Sequence, residues 1–209
     1  MRNLDNVWDD LYKKGLTWKK NTKGMKEELK NKSILELGVG NGKTLKSILD
    51  QNPKRIVAID ISEEAIKISS NSIKSDKVNF VKEDFINWDI NDKFDVVVCY
   101  YFLNNFKEKQ RRKAVTKMKS FLKLNGTILF EDFAVGDFRQ KGKIIEKSTI
   151  QRKDGRICHF FEKKEILELF EDFKNVKIEE KTFSPIRKEK SVQRKIVKAI
   201  IKINALART

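Results

Sequence analysis

The chain of 209 residues carries 46 Lys and Arg against 30 Asp and Glu, a formal net charge of +16, and its length is that of one ordinary domain. An apolar fraction of 39% with 14 Phe supplies a core and argues against wholesale disorder. The longest apolar run, Val96 to Leu103, falls far short of the ~20 residues of a membrane helix.

The start, Met1-Arg2-Asn3-Leu4-Asp5, has no apolar signal segment, so a cytoplasmic location with no membrane partner is expected. Residues 1–30 read as an N-terminal helical arm. Ser33-Ile34-Leu35-Glu36-Leu37 then reads as a buried strand, ended by a glycine loop from Gly38 to Gly42. A helix follows through Thr44, Leu45, Ile48 and Leu49. Arg55 to Asp60 is a second strand, and Ser62 opens a helix carrying Ile66, Ile68 and Ile73. Val78 to Val81 is a third strand, Phe94 to Tyr100 a fourth and Thr127 to Glu131 a fifth, with a helix from Lys107 to Leu122 between the last two. This alternation predicts right-handed crossovers and a mostly parallel sheet with helices on both faces.

Beyond it, residues 133–161 are long for a connection and predict a structured insert on the substrate side. Glu165 to Phe173 reads as a helix, and Val176 to Glu179 alternates like a half-exposed strand. Lys195 to Ile203 fits both periods and is assigned as the closing strand, because the preceding strand needs a hairpin partner. No repeat and no Gly/Ser/Pro-rich linker interrupts the chain, and the prolines are Pro53 and Pro185 alone, so one domain over 1–209 is expected.

Two cysteines, Cys99 and Cys158, with no CxxC, and the single His159 argue against a disulfide scaffold or a metal site. The chemistry must then come from carboxylates, amides, backbone groups or a cofactor. Glu36-Leu37-Gly38-Val39-Gly40-Asn41-Gly42 follows a strand and precedes a helix, where glycines allow a tight turn and a close backbone approach to a ligand. Asp60 ends the second strand 22 residues past Gly38, where a carboxylate can take both hydroxyls of a ribose. Asp84 follows the third strand, placed to accept from an exocyclic amine. Three successive strand ends thus describe a nucleoside site.

A dinucleotide site needs G-x-G-x-x-G/A, and its last position is Lys43 here. The spacing E-x-G-x-G-x-G instead resembles motif I of the class I S-adenosylmethionine (SAM)-dependent methyltransferases, over roughly residues 30–132. That resemblance implies a Rossmann-like seven-stranded sheet whose last strand is antiparallel, with SAM as cofactor. It implies that Gly38, Gly40 and Gly42 wrap the methionine part, with Glu36 holding the loop and the amino group. It further implies Asp60 on the ribose, Ile61 against adenine, Asp84 on the adenine amine flanked by Phe85, and the backbone near Cys99 and Tyr100 at the methionine end. Trp8-Asp9-Asp10-Leu11-Tyr12 and Trp18 resemble an arm that closes over SAM; hydrophobic anchoring of a helix is the plainer alternative.

The acceptor is less legible. After the fourth strand stand Cys99-Tyr100-Tyr101-Phe102-Leu103-Asn104-Asn105, without the N/D-P-P-Y/F motif of exocyclic-amine methyltransferases. Asn104 is a candidate to hydrogen-bond an acceptor or to cap the next helix. Glu131-Asp132-Phe133, then Asp137, then Arg152-Lys153-Asp154-Gly155-Arg156, then His159-Phe160-Phe161 resemble the ordered series R-D-Y, D, R-x-D-G-T and Y-F-F of tRNA 3-methylcytidine methyltransferases. Glu131, Phe133, Arg156 and His159 depart from it. A cytosine N3 acceptor needs no general base, and Asp132 and Asp137 would stabilise the cation formed; shaping loops is the alternative for both.

The cationic residues cluster. Lys107 to Lys123 holds eight against one acidic, Arg139 to Lys164 nine against three, and Ser184 to Thr209 eight against one. The acceptor expected from this is an RNA, in particular a tRNA, met by the basic helix, insert and tail. A small-molecule methyltransferase with the insert as lid, and a non-catalytic SAM-binding subunit, are the alternatives.

Overall fold

The computed structural model describes residues 4–15, 28–173, 175–184 and 193–203. The chain divides into two compact units, residues 1–98 and 99–209.

The first unit contains α1 (Leu4–Lys13), β1 (Ser33–Leu37), α2 (Lys43–Leu49), β2 (Arg55–Asp60), α3 (Glu63–Ser72), β3 (Val78–Lys82) and most of β4 (Phe94–Tyr100). β1 is buried at every residue, Ser33 and Glu36 included, as a central strand covered on both faces requires. It pairs in parallel with β2 from Ser33↔Arg55 to Leu37↔Ile59, and β2 pairs in parallel with β3 from Ile56↔Val78 to Asp60↔Lys82. This register brings the ends of β1, β2 and β3 level. Helix α3 starts where the sequence says: Ser62 is its N-cap, its hydroxyl accepting from the Ala65 N–H at 3.1 Å, with Glu63 and Glu64 in the first turn. Ile73, expected within this helix, instead terminates it in an extended conformation. Helix α1 docks here too, since Asp9 accepts from the Ser62 hydroxyl at 2.5 Å and the Glu64 N–H at 3.1 Å.

The second unit contains the end of β4, a 3-10 turn (Leu103–Asn105), α4 (Glu108–Phe121), β5 (Leu122–Phe133), β6 (Lys143–Glu146), β7 (Thr149–Gln151), β8 (Ile157–His159), α5 (Lys163–Leu169), β9 (Asn175–Phe183) and β10 (Arg194–Lys202). The seven-stranded sheet has the order β3-β2-β1-β4-β5-β10-β9. β10 is the expected closing strand, antiparallel to both β5 and β9. The sheet is therefore mostly parallel with its last strand reversed.

The insert is structured. β6, β7 and β8 form a separate three-stranded antiparallel sheet, with Ile150, Cys158 and Phe160 buried together and Phe133 and Val135 packed on them. His159 belongs to this core: its Nδ1 lies 2.7 Å from the Thr149 hydroxyl and its Nε2 2.8 Å from Glu165. Burial holds its pKa below the ordinary value despite Glu165, so the ring is neutral at physiological pH. Buried Arg111 of α4 reaches the same Glu165 at 3.3 Å.

β5 and α5 also differ in extent from the sequence expectation. β5 begins at Leu122 rather than Thr127, passing through Asn125 with a φ of 60°. α5 stops at Leu169 rather than Phe173, because Phe170 leaves the helical region and the Phe173 N–H closes on its carbonyl at 2.9 Å. That turn keeps Phe170 and Phe173 both buried, with the Phe170 ring edge-on to Phe130 at 6.0 Å. Among the described residues no helix is long and apolar enough to cross a membrane.

Candidate active site

In the first unit the glycine loop rests on the end of β2, because the Gly38 and Val39 N–H groups both donate to the Ile59 carbonyl, at 2.8 and 3.1 Å. Gly38, Gly40 and Gly42 all have a positive φ, and two of them also meet a close neighbour. Gly40 has a φ of +55°, and a Cβ there would fall 2.7 Å from the Tyr12 hydroxyl. Gly42, the N-cap of α2, has a φ of +77°, and its Cβ would fall 2.7 Å from Ile73 Cδ1. The left-handed conformation costs a side chain roughly 1–2 kcal/mol. Gly40→Ala is accordingly expected to lower the melting temperature by several degrees, and Tyr12→Phe in the same chain to recover part of it. Calorimetry of the single and double variants checks this.

Two carboxylates face this loop's chemistry. Asp60 is half-buried, with Oδ2 accepting from the Gly40 N–H at 2.9 Å and Oδ1 from the Ser62 N–H at 3.0 Å. With three N–H groups addressing its four lone-pair sites, the carboxylate keeps acceptor capacity for a hydroxyl at the strand end. Burial pushes its pKa up to about 6 against the N–H groups of Ser62, Gly40 and Ile61. Glu36 is 2% exposed, and its Oε2 is buried without a hydrogen-bond partner. Burial, reinforced by the Asp60 charge, pushes it up to about 8, against the Leu45 N–H. A buried carboxylate oxygen without a donor is costly, and a cation brought to it removes the cost. The residues present therefore fit the ammonium and ribose of SAM.

Asp84 sits at the neighbouring strand end, since β2 and β3 are level at Asp60↔Lys82 and the Glu83 N–H donates to the Asp60 carbonyl at 3.0 Å. Its carboxylate heads a turn, accepting from the Ile86 N–H at 3.0 Å and the Asn87 side-chain amide at 2.6 Å. Ile61 is half-buried and Phe85 is 3% exposed. Trp18, named with these residues from the sequence, lies outside the described residues.

In the second unit, Asn104 and Asp132 come together. Asp132 is fully buried; its Oδ1 accepts from the Asn104 side-chain amide at 2.8 Å and the Phe133 N–H at 2.9 Å, and its Oδ2 from the Asn104 N–H at 3.0 Å. Burial nevertheless pushes its pKa up to about 8. No cation pairs with it among the described residues. Asp137 stands apart from this pair. Its Oδ1 accepts from the Arg139 N–H and Nε, and its Oδ2 from Arg139 and the Lys195 N–H at 2.8 Å. Four donors use all four lone-pair sites, so Asp137 braces its loop and has none left for an acceptor. Burial pulls its pKa up, but these donors hold it below the usual value.

Cys99 is fully buried, and burial with the nearby Asp132 charge pushes its thiol well up, so it stays protonated. Tyr100, half-buried beside it, is likewise pushed up by burial and by Glu131. The sequence reading passed over Tyr101, which takes a φ of 53° and donates its hydroxyl to Glu131 at 2.6 Å. Its ring lies 5.0 Å from that of Phe133, over which the Arg139 guanidinium lies at 4.0 Å. Glu131 also pairs with Lys198, its direct partner across β5 and β10. That pair becomes visible in the sequence only when the register of the closing strand is known.

Residues 34–126 match the family described as a methyltransferase domain. The chain is 30% identical over 176 residues to the tRNA N(3)-methylcytidine methyltransferase trm140 of Schizosaccharomyces pombe, covering 74% of this chain and 54% of that protein. The chain thus spans about half the length of that curated relative. Among solved structures, a SAM-dependent methyltransferase of Anabaena variabilis superposes with a TM-score of 0.75 at 17% identity, covering 98% of this chain and 96% of that one. The N-methyltransferase NodS of Bradyrhizobium japonicum, solved with S-adenosyl-L-homocysteine, superposes with a TM-score of 0.60 at 14% identity, over 83% and 78% of the two chains.

Proposed function

Starting from a chain that carries a class I SAM-dependent methyltransferase domain, we propose that this protein methylates a ring nitrogen of an RNA base, most specifically in a tRNA. The observation that carries the acceptor is Asp132, a buried carboxylate aimed by Asn104 and unpaired with any cation among the described residues. A ring nitrogen that becomes cationic on methylation is stabilised by such a carboxylate once it ionises, and its lone pair needs no general base. The likeness to a relative named as a tRNA N(3)-methylcytidine methyltransferase supports the same acceptor.

SAM, when bound, supplies a methyl group on a positively charged sulfur. Glu36 offers its unpartnered Oε2 to the ammonium, the loop of Gly38, Gly40 and Gly42 offers backbone space, and Asp60 offers its remaining acceptor capacity to a ribose hydroxyl. Asp84 with Phe85 and Ile61 would hold the adenine. Asn104 holds the Asp132 carboxyl in place, ready to ionise, while half-buried Tyr101 and Phe133 offer aromatic surface to a base. Asp137 acts by holding Arg139 over Phe133.

Incubation with radiolabelled SAM and total RNA, followed by nucleoside analysis, tests the acceptor. Label in a ring-methylated nucleoside is the expected result; label in small metabolites alone overturns it. Asp60→Ala removes a charged acceptor for a ribose hydroxyl and is expected to weaken SAM binding by up to about 10²-fold, such a bond being worth roughly 1.5–3 kcal/mol. Isothermal titration measures it, and unchanged affinity would remove Asp60 from the cofactor site.

A further inference from the structure

Helix α4 carries more positive charge than its own stability accounts for. Arg111 is buried, with its guanidinium on the Phe106 carbonyl at 2.7 Å. Arg112 pairs with Glu108 at 3.1 Å and Lys119 with Asp172 at 3.1 Å. Lys109 and Lys113 are exposed and meet no carboxylate among the described residues, and Lys117 lies over the Phe121 ring at 5.8 Å. Spaced by four, these three lysines share one face and repel one another. Lys109 also stands in the first turn, at the positive end of the helix dipole. Both placements oppose helix formation, so an external polyanion is the economical explanation for them.

The insert is fastened to the start of this helix. Glu146 of β6 accepts from the Glu108 N–H at 3.0 Å and lies 4.0 Å from Arg111, which fastens β6 to the first turn of α4. Beside that anchor stand exposed Lys143 and Lys147, the latter 3.4 Å from Glu162, with Ile144 between them in sequence 77% exposed. An apolar side chain held out among lysines suits the sugars and bases of a nucleic-acid strand. It does not suit a bilayer, because the apolar residues Ala114, Val115, Met118 and Phe121 of α4 are all buried and leave no apolar face for lipid.

We propose that Lys109, Lys113 and Lys117 of α4, continued by Lys143, Ile144 and Lys147 of the insert, form a rail for the phosphate backbone of a structured RNA. The proposal rests on the RNA reading above and adds where the phosphates lie. The rail rises about 12 Å along α4 from Lys109 to Lys117, starting five residues after Asn104. It contacts phosphates rather than base edges, so it contributes affinity and register but not sequence choice.

The test measures binding of a fluorescein-labelled RNA stem–loop to the full chain by anisotropy, across roughly 50–200 mM salt. Lys109→Ala/Lys113→Ala/Lys117→Ala is expected to reduce the slope of log affinity against log salt by about 2–3 and to weaken binding on the order of 10²-fold near 0.1 M salt. SAM affinity should not change. A control, Lys30→Ala/Lys54→Ala/Lys74→Ala, removes three exposed lysines of the first unit and should leave the slope nearly intact. Equal loss in both variants means the net charge acts as a whole, and the rail is overturned. Loss of binding to phosphatidylserine vesicles alone overturns it in favour of a membrane surface. If the wild-type protein methylates RNA but the α4 variant binds it unchanged, only the rail falls. If the wild-type protein neither binds nor methylates RNA, both readings fall.

Discussion

Methyl transfer by the wild-type protein is expected to accelerate about tenfold per pH unit below about 8 and then level off, following ionisation of Asp132. The sign follows from burial. A carboxyl whose pKa is raised keeps its proton through neutral pH, and only the ionised form opposes a developing positive charge. The three N–H donors from Asn104 and Phe133 favour that ionised form, but burial outweighs them. Asp132→Asn should therefore slow transfer by about 10²–10³-fold, the scale of removing one preorganised charge partner. It should also abolish the pH dependence, with SAM affinity preserved. Single-turnover rates between about pH 6 and 9 measure both, and a fully active, equally pH-dependent variant would reduce Asp132 to a brace for the Leu103–Asn105 turn.

Stability should run the opposite way with pH. Glu36 and Asp132 both have folded-state values near 8, far above those of the unfolded chain. Between about pH 5 and 8 the folded protein holds protons that the unfolded chain has lost, so stability falls as pH rises. The limit is about 1.4 kcal/mol per pH unit for each group, and for a chain of this size each kcal/mol shifts the melting temperature by roughly 2–4 °C. On the acid side Asp9, Asp137 and Asp154 are held below their ordinary values. Their contribution is present above the unfolded value near 3.8 and disappears below it. Maximum stability is thus expected near pH 5 for the cofactor-free protein. Glu36→Gln should flatten the alkaline decline by about half while weakening SAM binding, and the stabilisation given by SAM should grow with pH. Calorimetry across the range, with and without SAM, reads all three; a melting temperature that rises steadily from about pH 5 to 8 would contradict the burial of these carboxyls.

The sheet was legible because its strands are short apolar runs closed by residues with a local job. Gly38 to Gly42 turns the chain, Asp60 ends β2, and Ser62 caps α3 by a hydrogen bond that the sequence foreshadows. The hairpin β9–β10 was legible in outline, although Lys195 to Ile203 satisfies two periods, because an unpaired β9 would lack a partner. Segments of three or four residues are too short for any period, so the β6–β7–β8 sheet could be expected only as an ordered insert. The end of α5 escaped because burial of both Phe170 and Phe173 outweighs helical continuation. Within the candidate site, the sequence points to residues at strand ends, while which side chain acts through which is visible only in the fold. Tyr101 carries no sign of its left-handed backbone, and Asp137 looks the same in sequence whether its lone pairs are free or filled.

The pairing of β10 with β5 places Val197 opposite Asp132 and Lys198 opposite Glu131. These partners leave the ribosome more than sixty residues after β5 ends at Phe133. Until they emerge, the nascent chain holds two adjacent carboxylates on a strand with one open edge, without the lysine that answers Glu131. This edge of the sheet therefore closes only once β10 has emerged. A ribosome stalled between β9 and β10 would display an exposed strand edge, the kind of surface that chaperones bind and that neighbouring nascent chains join.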